Sequence, residues 1–502
     1  MNARTRWLLA LGAGAAAGLP FLAVPIFSVL SPLCFVPLAY LAERHVQPGT
    51  GPAGAWIAGY VAAVAQSLVA FHWLPALTQE NLIYDWIMWP ALLLATLYLG
   101  IFGGVAFSLA TWISRRTGRA IAWTLPAAWV LLEWVRTQGN LGFPWGSFGY
   151  AWWASPRLIQ SADLWGIYGL SFLSLAIATR LTRPTRRRIA EAGLAIVALS
   201  AYGGIRLAES PPDPTLDVAV IQPNWGASEK WKPENRNRVF VRYLQQSEEA
   251  VPDSADLVVW PETATPFRLV SAPTHLARVQ SFVDAHDTAL ITGSVHHESS
   301  DGGEAIFYNA AVLVTPGTPE VALYYKRYLV PFSEWLPWRL LRIMEINFGQ
   351  ADFTPGTDPT PFAVRGHRAG MLICIEAILP RFARASVNAG ADFLVNITND
   401  VWFGDGPAPR HHADLARFRA VELRRPIVRS ANTGISMLVD RTGRVERSIG
   451  TFRQGVLRGH IHPETTRTLY ARVGDVTVLL CALALVAFLV PFRRWRAETP
   501  AA

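Results

Sequence analysis

The sequence predicts an α+β membrane protein, a bundle of eight transmembrane helices joined to one α/β layered sandwich outside the bilayer. Three observations lead there. The 502-residue chain is 51% hydrophobic and 16% charged, with mean hydropathy +0.23, whereas a soluble domain carries about 25% charged residues. The bias is uneven: residues 1–207 and 471–502 hold long apolar runs, and 208–470 has the composition of a globular domain. Within 208–470, short apolar runs alternate with helical patterns, the rhythm of buried strands in a layered sheet structure. Intrinsic disorder is excluded by this apolar content.

A helix needs about 20 apolar residues to span a bilayer. Candidate runs lie at about 7–19, 21–42, 54–75, 87–112, 120–137, 162–180, 189–206 and 473–492. The first is short, and Arg4 and Arg6 ahead of Ala15, Ala16 and Ala17 also fit a signal peptide. A second run begins at Pro20 with hardly any spacer, which favours a retained helix hairpin. Basic residues occupy alternate loops: Arg4 and Arg6, Arg44, then Arg115, Arg116 and Arg119, then Arg180, Arg183 and Arg186 to Arg188, then Arg493, Arg494 and Arg496. The other short loops have Glu80 and Asp85, or Arg157 alone. Both termini are therefore expected in the cytoplasm and the 208–470 domain outside, in the periplasm of a bacterium with two membranes. These loops also account for the net charge of +8, so no nucleic-acid partner is expected.

The outer domain opens after Pro211, Pro212 and Pro214 with an apolar strand, Val218 to Gln222. Strands are expected at 257–260, 289–295, 305–314, 321–325, 370–375, 393–397, 428–429, 434–440 and 455–461, and helices at about 274–286 and 410–424. The chain thus divides into seven helices (1–207), the outer domain (208–470), and an eighth helix with a basic tail (471–502).

Chemistry starts from three cysteines, Cys34, Cys374 and Cys481, which offer neither a disulfide framework nor a Cys-x-x-Cys metal motif. Cys374 ends the run Met371 to Ile375, where a strand giving way to a turn can display a nucleophile. A buried core cysteine is the ordinary alternative. Of the 45 Lys and Arg residues only Lys230, Lys232 and Lys326 are Lys. An arginine-rich chain that keeps a Lys at a strand end points to a compact charge for an oxyanion, beside the alternative of a solvated lysine. Glu262 follows the run Leu257 to Trp260 through Pro261, and is either a general base or a satisfied acceptor.

The order Glu, Lys, Cys, each at a strand end, resembles the nitrilase superfamily's triad. The surrounding motifs, Val-Val-Trp-Pro-Glu-Thr (258–263), Tyr-Lys-Arg-Tyr-Leu-Val-Pro-Phe-Ser-Glu (325–334), Ile-Cys-Ile-Glu (373–376) and Asn-Ile-Thr-Asn-Asp-Val-Trp-Phe (396–403), resemble its membrane-embedded branch, the apolipoprotein N-acyltransferases. The resemblance spans the whole chain and implies an α-β-β-α sandwich. It implies Glu262 as general base, Lys326 as oxyanion cation and Cys374 as nucleophile, with Glu334, Glu376 and Trp231 in support. The implied reaction moves the sn-1 acyl chain of a phospholipid such as phosphatidylethanolamine, through a Cys thioester, to the α-amino group of a diacylglyceryl-cysteine on an apolipoprotein. It needs no cofactor. Ile375 and Ser333 depart from the family's usual aromatic residue and Gly.

Two rivals stand beside this reading. A membrane-anchored amidohydrolase would need fewer helices, and a transporter would need ionisable groups inside its spans, where only Glu133 and Arg136 near one end offer them. His296 with His297, and His411 with His412, are adjacent pairs lacking the i,i+4 spacing of a helical metal site; they read as surface or structural, and no metal is expected. The stretch from Pro331 to Gly349, with Phe332, Trp335 and Trp338, is either a core segment or a loop dipping into lipid, and Trp beside Arg favours the loop. Phe143 and Trp145, in the outward loop, are further candidate lipid contacts beside the alternative of an interfacial belt.

Overall fold

The computed structural model describes residues 3–47, 51–77, 86, 88–213, 215–251, 255–299, 305–335 and 352–490. Each predicted apolar run carries a helix: α1 Ala3–Gly18, α2 Ser31–Val46, α3 Pro52–Ala70, α4 Met88–Thr117, α5 Ile121–Val135, α6 Ala162–Leu181, α7 Arg186–Ala208 and, near the C-terminus, Val476–Leu489. Among the described residues four segments are long and apolar enough to cross a membrane: Pro52–Ala76, α4, α6 and α7. Helix α5 and Val476–Leu489 are apolar but shorter. The run at 21–42 is not one helix. Pro25 and Pro32 stand in the first turns of Pro25–Val29 and α2, where the N–H that proline lacks has no partner within the helix to lose.

Among the described residues of 208–470 there are two six-stranded sheets. The first runs β12-β1-β2-β3-β4-β5 and the second β11-β10-β9-β8-β7-β6. In chain order these strands are β1 Leu216–Gln222, β2 Leu257–Val259, β3 Ala289–Ser299, β4 Ala305–Val314, β5 Ala322–Tyr325, β6 Phe362–Val364, β7 His367–Ile373, β8 Phe393–Thr398, β9 Ile427–Ala431, β10 Ser436–Val439, β11 Val445–Ile449 and β12 Gly455–Ile461. Strand alternation assigns the faces. Val218, Val220, Val259 and Ile291 meet Met371, Ile373, Val395 and Ile397 between the sheets. Ala219, Ile221 and Val258 turn outward onto α8 Arg236–Ala250 and α9 Pro273–Ala285. Leu372, Leu394 and Met437 pack under α10 Pro380–Asn388 and α11 Pro407–Leu423. The α-β-β-α sandwich expected from the resemblance is therefore present. Continuing the numbering, Val476–Leu489 is α12.

The sandwich is fastened to the helical part by buried polar contacts. Gly166, at φ +67°, interrupts α6 in the left-handed region that favours glycine. The next residue, Ile167, donates its N–H to Glu422 Oε1 of α11 at 2.9 Å. Arg424 pairs with Asp163 at 2.8 Å, and the Tyr328 hydroxyl donates to the Gly142 carbonyl at 2.7 Å.

Candidate active site

Glu262 leaves β2 on a corner tied to β3. Gly293 donates its N–H to Pro261 O at 3.1 Å and accepts from Ala264 N at 2.8 Å. Thr263 sits at φ +46°, a strained conformation for a β-branched residue. A side chain at 293 has no room: a Cβ would lie 2.4 Å from Thr263 N and 2.6 Å from Glu262 Cα. Gly293→Ala is therefore expected to displace the carboxylate and slow acylation of Cys374 by an activated ester about hundredfold, the cost of an ångström-scale misplacement. Unchanged kinetics in the folded variant would contradict this.

Lys326 follows β5, its N–H bonded to Asn309 O at 2.8 Å. Its ammonium is 1% exposed and bridges Glu262 Oε1 at 3.2 Å and Glu334 Oε1 at 2.8 Å. Burial works to remove its proton, but the two carboxylates outweigh it and hold the group well above the usual lysine range. Asn309 Nδ2 donates to the same two oxygens at 2.7 and 2.8 Å. The remaining oxygens accept backbone N–H groups, Glu262 Oε2 from Asn399 at 3.0 Å and Glu334 Oε2 from Val330 at 2.8 Å.

Cys374 opens a tight helical turn directly after β7 at φ +52°. Its thiol is half-buried. Burial, then the charge of Glu262, push it well above the usual thiol range, while Lys326 works the other way. Glu376, fully buried, joins this turn to the Lys326 loop. It accepts from Ile373 N at 2.7 Å and the Tyr324 hydroxyl at 2.8 Å on one oxygen, and from Arg327 N at 2.6 Å and Tyr328 N at 3.2 Å on the other.

The structure thus brings together Glu262, Lys326, Glu334, Cys374 and Glu376. Trp231 is 47% exposed, with the Lys230 ammonium 5.4 Å from its ring centre. Phe332 is exposed and Trp335 half-buried; Trp338 and the rest of 336–349 lie outside the described residues. Trp145 is buried, not open to the surface, with its ring 6.0 Å from that of His412. Phe143 is half-buried, 5.4 Å from the Trp145 ring. Ile375 is buried in the cluster shared with the helical part, and Ser333 is half-buried in the loop before Glu334.

His411 and His412 are not surface residues: both are buried. His412 Nδ1 lies 2.9 Å from Asp400 Oδ1, and Arg429 donates to Asp400 Oδ2 at 2.7 Å. Against the effect of burial, Arg429 and His412 hold Asp400 well below the usual carboxylate range. Ligand-type atoms of Cys374, Asp400 and His412 lie within 4.8 Å of one another, but the guanidinium already supplies the cation that Asp400 faces. Asn309 and Asn399 escaped the sequence reading. Asn309 carried a signal, a lone amide inside the apolar strand Ala305–Val314.

Residues 217–471 match the carbon-nitrogen hydrolase family, and residues 13–179 match the apolipoprotein N-acyltransferase N-terminal domain. The chain is 33% identical to an apolipoprotein N-acyltransferase of Geobacter metallireducens over 98% of this chain and 96% of that one. It is 31% identical to that of Rhodopseudomonas palustris over 97% and 95%, and 35% identical to that of Bradyrhizobium diazoefficiens over 80% and 79%. Among solved structures, an amidase from Nesterenkonia sp. aligns at TM-score 0.39 and 16% identity, covering 54% of this chain and 98% of that one.

Proposed function

The chain belongs to the apolipoprotein N-acyltransferase family, and on that footing we propose that it transfers an acyl chain from a phospholipid to an apolipoprotein, the last step of lipoprotein maturation, through Cys374. Glu262 accepts the thiol proton as Sγ attacks the sn-1 ester of a donor such as phosphatidylethanolamine. Lys326, with a backbone N–H of the turn after Cys374, stabilises the oxyanion. Glu262 returns the proton to the departing alkoxide, so lysophospholipid leaves and a thioester remains. The α-amino group of a diacylglyceryl-cysteine then attacks the thioester; the amine loses a proton to Glu262 and Sγ recovers one. Glu334 and Glu376 position Lys326 and the Cys374 turn. Phe332 and Trp335, with Phe143, wall the approach of lipid, and Trp231 stands at the mouth.

The observation that carries this reading is the fully buried ammonium of Lys326 bridging Glu262 and Glu334 at 3.2 and 2.8 Å. Purified protein incubated with labelled phospholipid and a diacylated lipopeptide tests it: label on the peptide's α-nitrogen supports transfer. Release as free fatty acid marks a hydrolase, and no release marks neither.

The same reading places eight helices in the inner membrane, both termini in the cytoplasm, and the 208–470 domain between the seven helices of 1–207 and the 471–502 segment, facing the periplasm. The support is the alternation of basic loops. A periplasm-dependent reporter fused after Glu209 is expected to be active, and one fused after Arg188 silent. The reverse pattern would put Cys374 on the wrong side for exported apolipoproteins.

A further inference from the structure

Two of the three lysines in this arginine-rich chain are fully buried, and the proposed mechanism uses one. The other, Lys230, sits on the short helix Ala227–Trp231 at 1% exposure. Its ammonium donates to Thr263 Oγ1 at 3.1 Å, the strained residue directly after Glu262, and faces the Trp231 ring. Lys232, by contrast, pairs with Glu229 at the surface.

A count of charge gives Lys230 its meaning. Glu262 and Glu334 carry two negative charges and Lys326 one positive, so the buried cluster is left at minus one. Asp400, also near Cys374, is balanced by Arg429 at 2.7 Å. An unbalanced buried negative charge opposes the oxyanion that acyl transfer must form. We propose that Lys230 is a positioning residue for this centre: its ammonium neutralises the Glu262–Glu334–Lys326 cluster and clamps the Glu262–Thr263 corner through the Thr263 hydroxyl. The proposal rests on the assignment of Glu262, Lys326 and Cys374 above.

Its protonation makes the idea measurable. Burial lowers Lys230 to about 7, opposed by the charge of Glu262, the ionisable group that faces it. As pH rises through that value the cluster loses its balancing charge, and acylation should fall. The expected loss is at least about tenfold, the effect of one unit charge within about 12 Å at an effective dielectric of about 20.

The test is single-turnover release of lysophospholipid from labelled phospholipid between pH 6 and pH 8, in wild type, Lys230→Met and Cys374→Ala. Wild type should slow about five- to tenfold across that range, while Lys230→Met should be at least about tenfold slower at pH 6 and flat with pH. Thermal unfolding of Lys230→Met separates a lost charge from a lost fold. A flat wild-type profile overturns the proposal without recourse to any variant. So does a Lys230→Met protein that keeps either the pH limb or the wild-type rate at pH 6. Release that persists in Cys374→Ala would instead refute the nucleophile assignment.

Discussion

Cys374→Ser and Cys374→Ala are expected to abolish acyl transfer, with a loss of at least about ten-thousandfold, as when a hydrolase loses its nucleophile. The expectation follows from position. The residue leaves β7 in the left-handed region at φ +52°, where the turn presents its side chain beside the Glu262–Lys326–Glu334 cluster. Neither other thiol can substitute, since Cys34 lies in α2 and Cys481 in α12. The serine variant is the sharper test because it keeps size and hydrogen bonding while replacing the soft nucleophile. Turnover of purified variants with labelled phospholipid and lipopeptide measures the loss, and serine activity within tenfold of wild type would mean that the nucleophile is elsewhere.

Lys326→Arg should be almost as damaging as Lys326→Ala. A planar guanidinium cannot place one charge where the ammonium now meets Glu262 Oε1 and Glu334 Oε1. Loss of one oxyanion-stabilising contact costs about 3 kcal/mol, roughly a hundredfold in rate. Removing the charge altogether also leaves two buried carboxylates facing each other across Asn309, so Lys326→Ala should lose stability as well, by about 3–5 kcal/mol. Steady-state rates and denaturant unfolding separate the two effects. An arginine variant within a few-fold of wild type would sink the assigned role.

Much of this architecture was legible because its strands are short, apolar and separated by clear breaks: β4 and β12 fall on the expected residues, and β1, β3 and β8 lie within four residues of them at either end. What escaped were elements whose pattern is weak. Strand β11, Val-Glu-Arg-Ser-Ile, is largely exposed, so no apolar run marks it, and β6 has three residues. Helix α8 is mostly polar, and its buried Val239, Phe240 and Tyr243 make a narrow stripe. The break within 21–42 was written in Pro25 and Pro32, which a count of apolar length ignores.

In the site, the triad residues were visible because each ends an apolar run. Asn399 was quoted within a motif without a role, and only the folded chain aims its N–H at Glu262. Lys230 stood in the same short lysine count that singled out Lys326, yet its burial depends on the tertiary packing of Ala227–Trp231 against the Thr263 corner. The left-handed backbone at Cys374 has no signature in residue type, since cysteine rarely adopts it unless the surrounding structure imposes it.

The most direct test of the central claim is to trap the acyl-enzyme. Wild-type protein would be incubated with isotopically labelled phospholipid and no acceptor, digested, and examined by mass spectrometry, then chased with a diacylated lipopeptide bearing a free α-amine. The account predicts the labelled acyl group on the peptide containing Cys374 and its complete passage to the lipopeptide nitrogen in the chase. Product formed with no acylated Cys374, or an acyl group that leaves only to water, would contradict it.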